Sequence, residues 1–202
     1  MHTFHSTINS NNMKTYILTL FTFFAFLISN AQDSKFIISS SFNFQNSTSE
    51  SENQKYSSNY FQITPRFMYK INNNWGIGIL YALSKNTTEG GSNSKITGNQ
   101  FGGFLQYNLI DKTKFQLFSE LDGRYTTQKS KNEPDYYSFK GVVSGIHTGI
   151  RYNFYKRLGA ELRLNNIISY STVKHESDNK SSNFRFLDNP FQQISYGLNL
   201  SF

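Results

Sequence analysis

The chain has 202 residues, a formal net charge of +7, an aromatic content of 17% and a negative mean hydropathy. It contains no cysteine, which excludes disulfide stapling and a cysteine-ligated metal site. After the N-terminal region no segment approaches a continuous apolar run of about 18 residues, which excludes a transmembrane helix. High aromatic content in a polar chain instead favours short strands with one apolar and one polar face.

The N-terminal region is predicted to be an export signal. Residues 17–28 form an uncharged, mostly apolar run that is too short to span a membrane. Lys14 precedes this run, and a small-x-small cleavage site ends at Ala31. We expect a signal peptide over residues 1–31, with Met13 as the true start, and one mature domain over residues 32–202. An uncleaved membrane anchor is the alternative.

Eight segments of alternating apolar and polar residues predict eight β-strands, because successive side chains on a strand point to opposite faces. The predicted strands cover residues 35–44, 59–71, 75–84, 97–109, 114–126, 139–154, 158–170 and a final segment that ends at Phe202. The final segment has the clearest alternation. It places five apolar residues on one face and small polar residues on the other.

The predicted connections alternate in length. Three are tight, at residues 72–74, 111–113 and 155–157. Four are long and rich in Ser, Asn, Thr, Lys and Glu, at residues 45–58, 85–95, 127–138 and 171–190. Short periplasmic turns alternating with long external loops are typical of bacterial membrane barrels, and an even strand number places both termini at the periplasmic side. Asn72–Asn74 is expected to form a tight hairpin turn with positive φ values.

These features resemble small outer-membrane β-barrel proteins of the kind abundant in Bacteroidetes, similar to the OmpX, OmpW and OmpA barrels. The resemblance rests on the signal ending Ser-Asn-Ala-Gln, on motifs within residues 64–70 and 74–78, and on the terminal Leu-Asn-Leu-Ser-Phe. It implies an all-β, eight-stranded antiparallel up-and-down transmembrane barrel in the outer membrane of a Gram-negative bacterium. The residues that would form the assembly signal are Tyr196, Leu198, Leu200 and Phe202. Pro65, which donates no backbone hydrogen bond, is expected to mark a bulge or bend.

A soluble lipocalin-like or sandwich fold is the alternative, with the apolar face turned inward. Charged residues at the centres of strands argue for a barrel whose narrow lumen they share. These are Arg66, Glu120, Asp122, Arg151, Glu161 and Arg163. Unpaired buried charge is costly, so opposite charges are expected to pair. Counting from the turn centred on Lys156 places Arg151 opposite Glu161.

The sequence offers no catalytic, cofactor-binding or metal site. His147 is expected to be a hydrogen-bonded interior histidine, and Ser144 lies on the opposite face from it, so a nucleophile–base pair is not predicted. No chain spacing of His, Cys and carboxylates matches a metal site.

We expect a structural or interaction role at the cell surface. The alternative is a channel or carrier for small solutes, and the second alternative is a lipid A-modifying enzyme. Bulky residues of interior parity favour a filled barrel over an open pore, namely Met68, Leu80, Phe104 and Phe118. The expected partners are outer-membrane lipid and lipopolysaccharide, the outer-membrane assembly machinery, and a surface partner reached through the four long connections. Nucleic acid is not expected as a partner.

Overall fold

A computed structural model of the protein describes residues 35–51, 54–90, 93–132, 136–175 and 179–202. The predicted signal peptide, its cleavage site and Met13 lie outside these residues. The strands are β1 Phe36–Ser51, β2 Gln54–Lys70, β3 Trp75–Glu89, β4 Ser94–Asp111, β5 Phe115–Asn132, β6 Tyr136–Tyr155, β7 Leu158–His175, β8 Lys180–Phe186 and β9 Ile194–Ser201. A 3₁₀ turn, Pro190–Gln193, precedes β9. Within the described ranges no helix is long and apolar enough to cross a membrane.

Hydrogen bonding joins these strands into a closed antiparallel barrel. Strands β1 to β7 pair in chain order, and β9 pairs with both β1 and β7 to close the wall. Strand β8 also pairs with β7, further along the same edge. Strands β8 and β9 are therefore two halves of one interrupted eighth strand. The predicted eight-stranded all-β barrel is confirmed.

The two ends of the barrel differ. At one end, here called the short-turn end, tight turns join β2 to β3, β4 to β5 and β6 to β7, and Phe202 lies beside Phe36. The turn before Trp75 is built differently from the prediction. The side chain of Asn72 accepts hydrogen bonds from the backbone N–H groups of Asn74 and Trp75, at 2.9 and 2.8 Å. No residue from 72 to 74 has positive φ, because this side-chain contact makes the turn.

At the other end, here called the long-hairpin end, the four predicted loops are largely strand. Strands β1 and β2 stay in register as far as Ser51 opposite Gln54, and β3 and β4 as far as Thr88 opposite Ser94. Strands β5, β6, β7 and β8 extend in the same way. The loops predicted at 45–58, 85–95, 127–138 and 171–190 are therefore shorter in the structure than the sequence indicates. Polar segments lack the apolar alternation used to find strands, yet their backbones pair equally well.

The eighth strand of the barrel is interrupted rather than continuous. The strand breaks between Phe186 and Ile194, where Leu187 and Asn189 have φ values of 49° and 45° and the 3₁₀ turn follows. Pro190 begins this turn, and because proline cannot donate a backbone hydrogen bond, strand pairing stops there. As a result β9 accompanies β1 only from Ile37 to Phe42, opposite Ser201 and Tyr196.

Pro65 does not mark a bulge. It lies inside β2, opposite Ser40, in a register that is constant along the whole β1–β2 pair. The β2–β3 register is also the same on both sides of it, with Ile63 opposite Leu83 and Arg66 opposite Leu80. The φ value of proline suits an extended strand, and the cost is limited to the missing donor.

The apolar side chains face outward and the polar side chains face inward. On the outer wall Ile79 is 53% exposed and Phe101 is 59% exposed, whereas the interior Arg163 and Glu120 are each 1% exposed. In the C-terminal strand Tyr196 and Leu198 are likewise exposed on the outer wall. Phe202 is covered because its ring stacks on that of Phe36, with centroids 5.9 Å apart. At the short-turn end the lumen is filled by an apolar cluster, Ile37, Met68, Leu80 and Phe104.

Candidate functional site

All six charged residues predicted to lie in the lumen are buried there. They come from strands β2, β5, β6 and β7, and each has the inward parity of its strand. Cross-strand register brings them to the same region: Arg151 lies opposite Glu161, and Glu120 lies opposite His147. The structure divides them, with two further residues, into two groups.

The first group is an alternating chain of ions, Arg151–Glu161–Arg163–Glu120–Arg66. Arg151 donates from Nη2 and Nε to Glu161 Oε2, at 2.7 and 3.1 Å, and from Nη1 to Gln116 Oε1 at 2.9 Å. Arg163 donates from Nε to Glu161 Oε1 and from Nη1 and Nη2 to the two oxygens of Glu120, the latter at 2.8 and 3.0 Å. Arg66 ends the chain with one bond, from Nη1 to Glu120 Oε1, at 2.8 Å.

Aromatic rings fill the space beside this ion chain. Phe118 is fully buried, and its ring centroid lies 5.2 Å from the guanidinium carbon of Arg151 and 4.9 Å from that of Arg163. Arg66 is 5.8 Å from the ring of Phe104. Cations at these distances are attracted to an aromatic face. Ion pairs and rings together fill the middle of the barrel.

Glycines create the room for these rings. A Cβ atom at Gly149 would lie 2.5 Å from Phe118 Cζ, and one at Gly78 would lie 2.4 Å from Phe104 Cζ. Real Cβ atoms do not approach other heavy atoms this closely. The glycines therefore have a packing role in a narrow lumen, as expected for glycine where a neighbour approaches closely.

The second group consists of Asp122, Arg124 and His147. Asp122 Oδ2 lies 3.0 Å from Arg124 Nε and 3.0 Å from His147 Nε2. Neither contact has the alignment of a hydrogen bond, so the positive charge of Arg124 holds the carboxylate in place. Arg124 also donates to Gln100 Oε1 at 2.7 Å and to Asn166 Oδ1 at 3.4 Å. Arg124 was missing from the predicted charge network, although it shares the parity of Glu120 and Asp122.

A hydrogen bond to Nδ1 of His147 fixes the tautomer of its ring. Its Nδ1 accepts a hydrogen bond from the backbone N–H of Asn166 at 2.9 Å, so Nδ1 carries no proton and the ring is neutral with its proton on Nε2. A bulge in β7 makes this possible. Thr148 lies opposite Leu164 and Ile146 opposite Ile168, and Asn166 lies between with a φ value of 53°.

Glu120, Asp122 and His147 each present a potential metal-ligating atom within 4.8 Å of the others. Sequence spacing did not reveal this cluster, because the β5–β6 register creates it. Its chemistry favours ion pairing instead. Both oxygens of Glu120 accept from arginines, and Asp122 faces Arg124. Arginine charges at this distance oppose a bound cation.

Above the ion chain, toward the long-hairpin end, lies a polar cavity of about 280 Å³, here called the cup. Its floor includes Arg66, Arg124 and His147. Its walls carry hydroxyl and amide side chains from β1, β2, β3, β7 and the 3₁₀ turn, among them Tyr60 and Gln62. Among the described residues that line the cup, none is acidic. The walls of the cup are thus uncharged and offer hydrogen bonds, whereas its floor carries arginine side chains.

A closed antiparallel barrel with an apolar outer wall and a charged lumen defines the architecture found in outer-membrane barrel proteins. The chain is similar to Neisserial surface protein A, with 13% sequence identity and a TM-score of 0.53, covering 83% of this chain and 96% of that one. It is also similar to Ail of Yersinia pestis (14% identity, TM-score 0.49, 85% and 100% covered). A further similar structure is OprG of Pseudomonas aeruginosa (16%, 0.47, 84% and 96%). These likenesses concern the fold. No protein-family model and no curated protein sequence matches the chain.

Proposed function

We propose that the protein is an integral outer-membrane β-barrel with a structural or interaction role at the cell surface, and that its lumen is closed to solutes. The observation that carries this proposal is the reversed partition of side chains. Exposed aromatic and aliphatic residues cover the outer wall, while seven Arg, Asp and Glu residues of the described ranges are buried inside. Such a wall is costly in water and is the arrangement expected where lipid surrounds a polar lumen.

The dimensions of the apolar wall support this location. The segment whose alternate residues form the apolar wall is nine residues long in each of two strands, from Trp75 to Leu83 in β3 and from Phe101 to Leu109 in β4. A membrane-crossing strand needs about 9–11 residues. Trp75 and Tyr107 pack together at the short-turn end of this wall, with ring centroids 4.8 Å apart, as in the aromatic girdles of membrane barrels. We place the long-hairpin end outside the cell and both termini in the periplasm.

The interaction role is assigned to the long-hairpin end. Paired strands continue well beyond the apolar wall, and every residue of β8 is exposed. Paired hairpins of this kind offer a surface for lipopolysaccharide or a surface partner. Catalysis is not part of the proposal, because Ser144 faces outward and donates to the backbone oxygen of Asp122 at 2.8 Å, away from the interior His147.

Conductance in planar bilayers tests the closed lumen. The refolded protein is expected to give no stepwise conductance, because the ion chain and Phe118 occupy the middle of the barrel. A Glu120→Ala/Arg163→Ala variant that still shows heat-modifiable gel mobility should conduct. The matched control is Arg185→Ala/Asp188→Ala, an exposed pair 3.7 Å apart outside the lumen, which should not. Steady conductance by the unmodified protein would favour the channel function instead.

A further inference from the structure

The ion chain has an uneven charge. It contains three arginines, Arg66, Arg151 and Arg163, but only two glutamates, Glu120 and Glu161. The neighbouring group is balanced, because Asp122 faces Arg124 and His147 is neutral. Among the described charged residues that are buried in the lumen, one positive charge is therefore left without a matching carboxylate. An uncompensated buried charge is costly.

The surplus charge can be placed at Arg66. Arg151 and Arg163 each donate from Nε and from both terminal nitrogens. Arg66 donates one hydrogen bond, to an oxygen of Glu120 that Arg163 also uses. Among the described residues the Nε atom of Arg66 has no hydrogen-bond partner, although Arg66 is only 7% exposed. Of the three arginines in the ion chain, Arg66 thus has the fewest hydrogen-bond acceptors.

Arg66 belongs to the floor of the cup. With no acidic side chain lining that cavity among the described residues, nothing in the walls neutralises it. The walls offer hydroxyl and amide groups, including those of Ser41, Gln62 and Asn86. A cavity of about 280 Å³ is near the lower end of the range for small-molecule sites, about 300–1,000 Å³. This combination suits an anionic group attached to a small body rich in hydroxyls.

We propose that the cup is a binding site for a small acidic sugar, with the phosphate or carboxylate of the ligand at Arg66 and its hydroxyls on the amide walls. An oxyanion at Arg66 would give the guanidinium its missing acceptors by charge-assisted hydrogen bonds, which are the strong ones. The proposal goes beyond the surface role proposed above. It depends on the barrel and its cup, and binding is measured on refolded protein, so it is tested separately from membrane location and conductance.

Isothermal titration calorimetry on the refolded full chain in detergent tests the site. The probes are glucose 6-phosphate, glucuronate, the uncharged methyl glucoside, and phosphorylated core oligosaccharide released from lipopolysaccharide. We expect at least one acidic probe to bind at least tenfold more tightly than methyl glucoside. Binding of the core oligosaccharide alone would identify lipopolysaccharide as the source of the ligand. Binding of the monosaccharides would identify free sugars. Equal affinity for the uncharged glucoside, or no binding of any acidic probe, would overturn the proposal.

Two variants locate the binding. Arg66→Gln removes the surplus charge and leaves two arginines with two glutamates, so the barrel should still fold, and affinity for the acidic probe should fall about tenfold to a hundredfold. Asn86→Trp leaves the ion chain intact but fills the cup, since Asn86 lies six residues nearer the long-hairpin end than Leu80, which faces Arg66. This change should abolish binding. The control Arg185→Gln, at the same end but outside the cup, should bind normally. Unchanged affinity in Asn86→Trp would overturn the assignment even if Arg66→Gln failed to fold.

Discussion

Replacing Glu161 with Gln removes one of the two carboxylates in the ion chain. Glu161 holds Arg151 and Arg163 through contacts that include Arg151 Nη2 to Oε2 at 2.7 Å, and the side chains are at most 2% exposed. The variant would leave three arginines with one glutamate. Breaking a buried pair by removing one partner costs about 3–5 kcal/mol. That loss lowers the folding equilibrium constant by a factor between about one hundred and several thousand.

The loss is measured by urea unfolding of the refolded protein, followed by the fluorescence of Trp75. This residue is the only tryptophan in the chain and lies on the outer wall. A matched control is Glu50→Gln, which removes the same charge from an exposed pair with Lys55 and should cost less than about 1 kcal/mol. The double variant Arg151→Gln/Glu161→Gln restores the original surplus of one positive charge, so it should recover part of the loss. If Glu161→Gln is no less stable than Glu50→Gln, or the double variant recovers nothing, ion pairing does not hold the lumen together.

Three further outcomes are expected. N-terminal sequencing of envelope protein should show cleavage after Ala31, and an unprocessed chain in the inner membrane would contradict the export signal. Phe202→Asp should still refold in detergent, because a charge near the membrane interface costs only about 0–1 kcal/mol. It should nevertheless fail to assemble in cells if Phe202 is part of the assembly signal. Normal amounts in the outer membrane would show that Phe202 is not part of that signal. Gly149→Ala should lose about 1–3 kcal/mol of stability in urea by overpacking against Phe118. The control Gly123→Ala, whose new Cβ meets no described atom within 4 Å, should be neutral, and equal effects would refute the packing role.

Strand parity made most of the lumen predictable. Side chains on a strand alternate between its two faces, so residues next to the apolar ones are assigned to the opposite face without knowing which strands pair. The tight turn at Lys156 also fixes register, and the structure places Arg151 opposite Glu161 as counting from that turn predicts. Arg124 has the same parity as Glu120 and Asp122 in the same strand, so parity alone also assigns it to the lumen.

Register across the long hairpins was not predictable. The contact of Asp122 and Glu120 with His147 depends on the β5–β6 pairing, and the length of that hairpin cannot be read from polar residues. The β7 bulge at Asn166 and the broken eighth strand at Leu187 depend on local backbone conformations with positive φ. Leucine in particular gives no sign of such a conformation. The cup, whose walls come from these regions, was therefore beyond sequence reasoning.

Accessibility of single cysteines in intact cells tests the membrane-spanning barrel most directly. The chain has no cysteine of its own, so one introduced thiol reports one place. Asn86→Cys lies in the cup at the long-hairpin end, and Asn73→Cys lies in the exposed turn between β2 and β3. The reagent is a polymer-linked maleimide that is too large to pass through porins. We expect it to label Arg185→Cys, on exposed β8, and Asn86→Cys in intact cells, and to label Asn73→Cys only after the outer membrane is permeabilised. Labelling of Asn73→Cys in intact cells with protection of Arg185→Cys, or equal labelling of both, would contradict an outer-membrane barrel with its long hairpins outside.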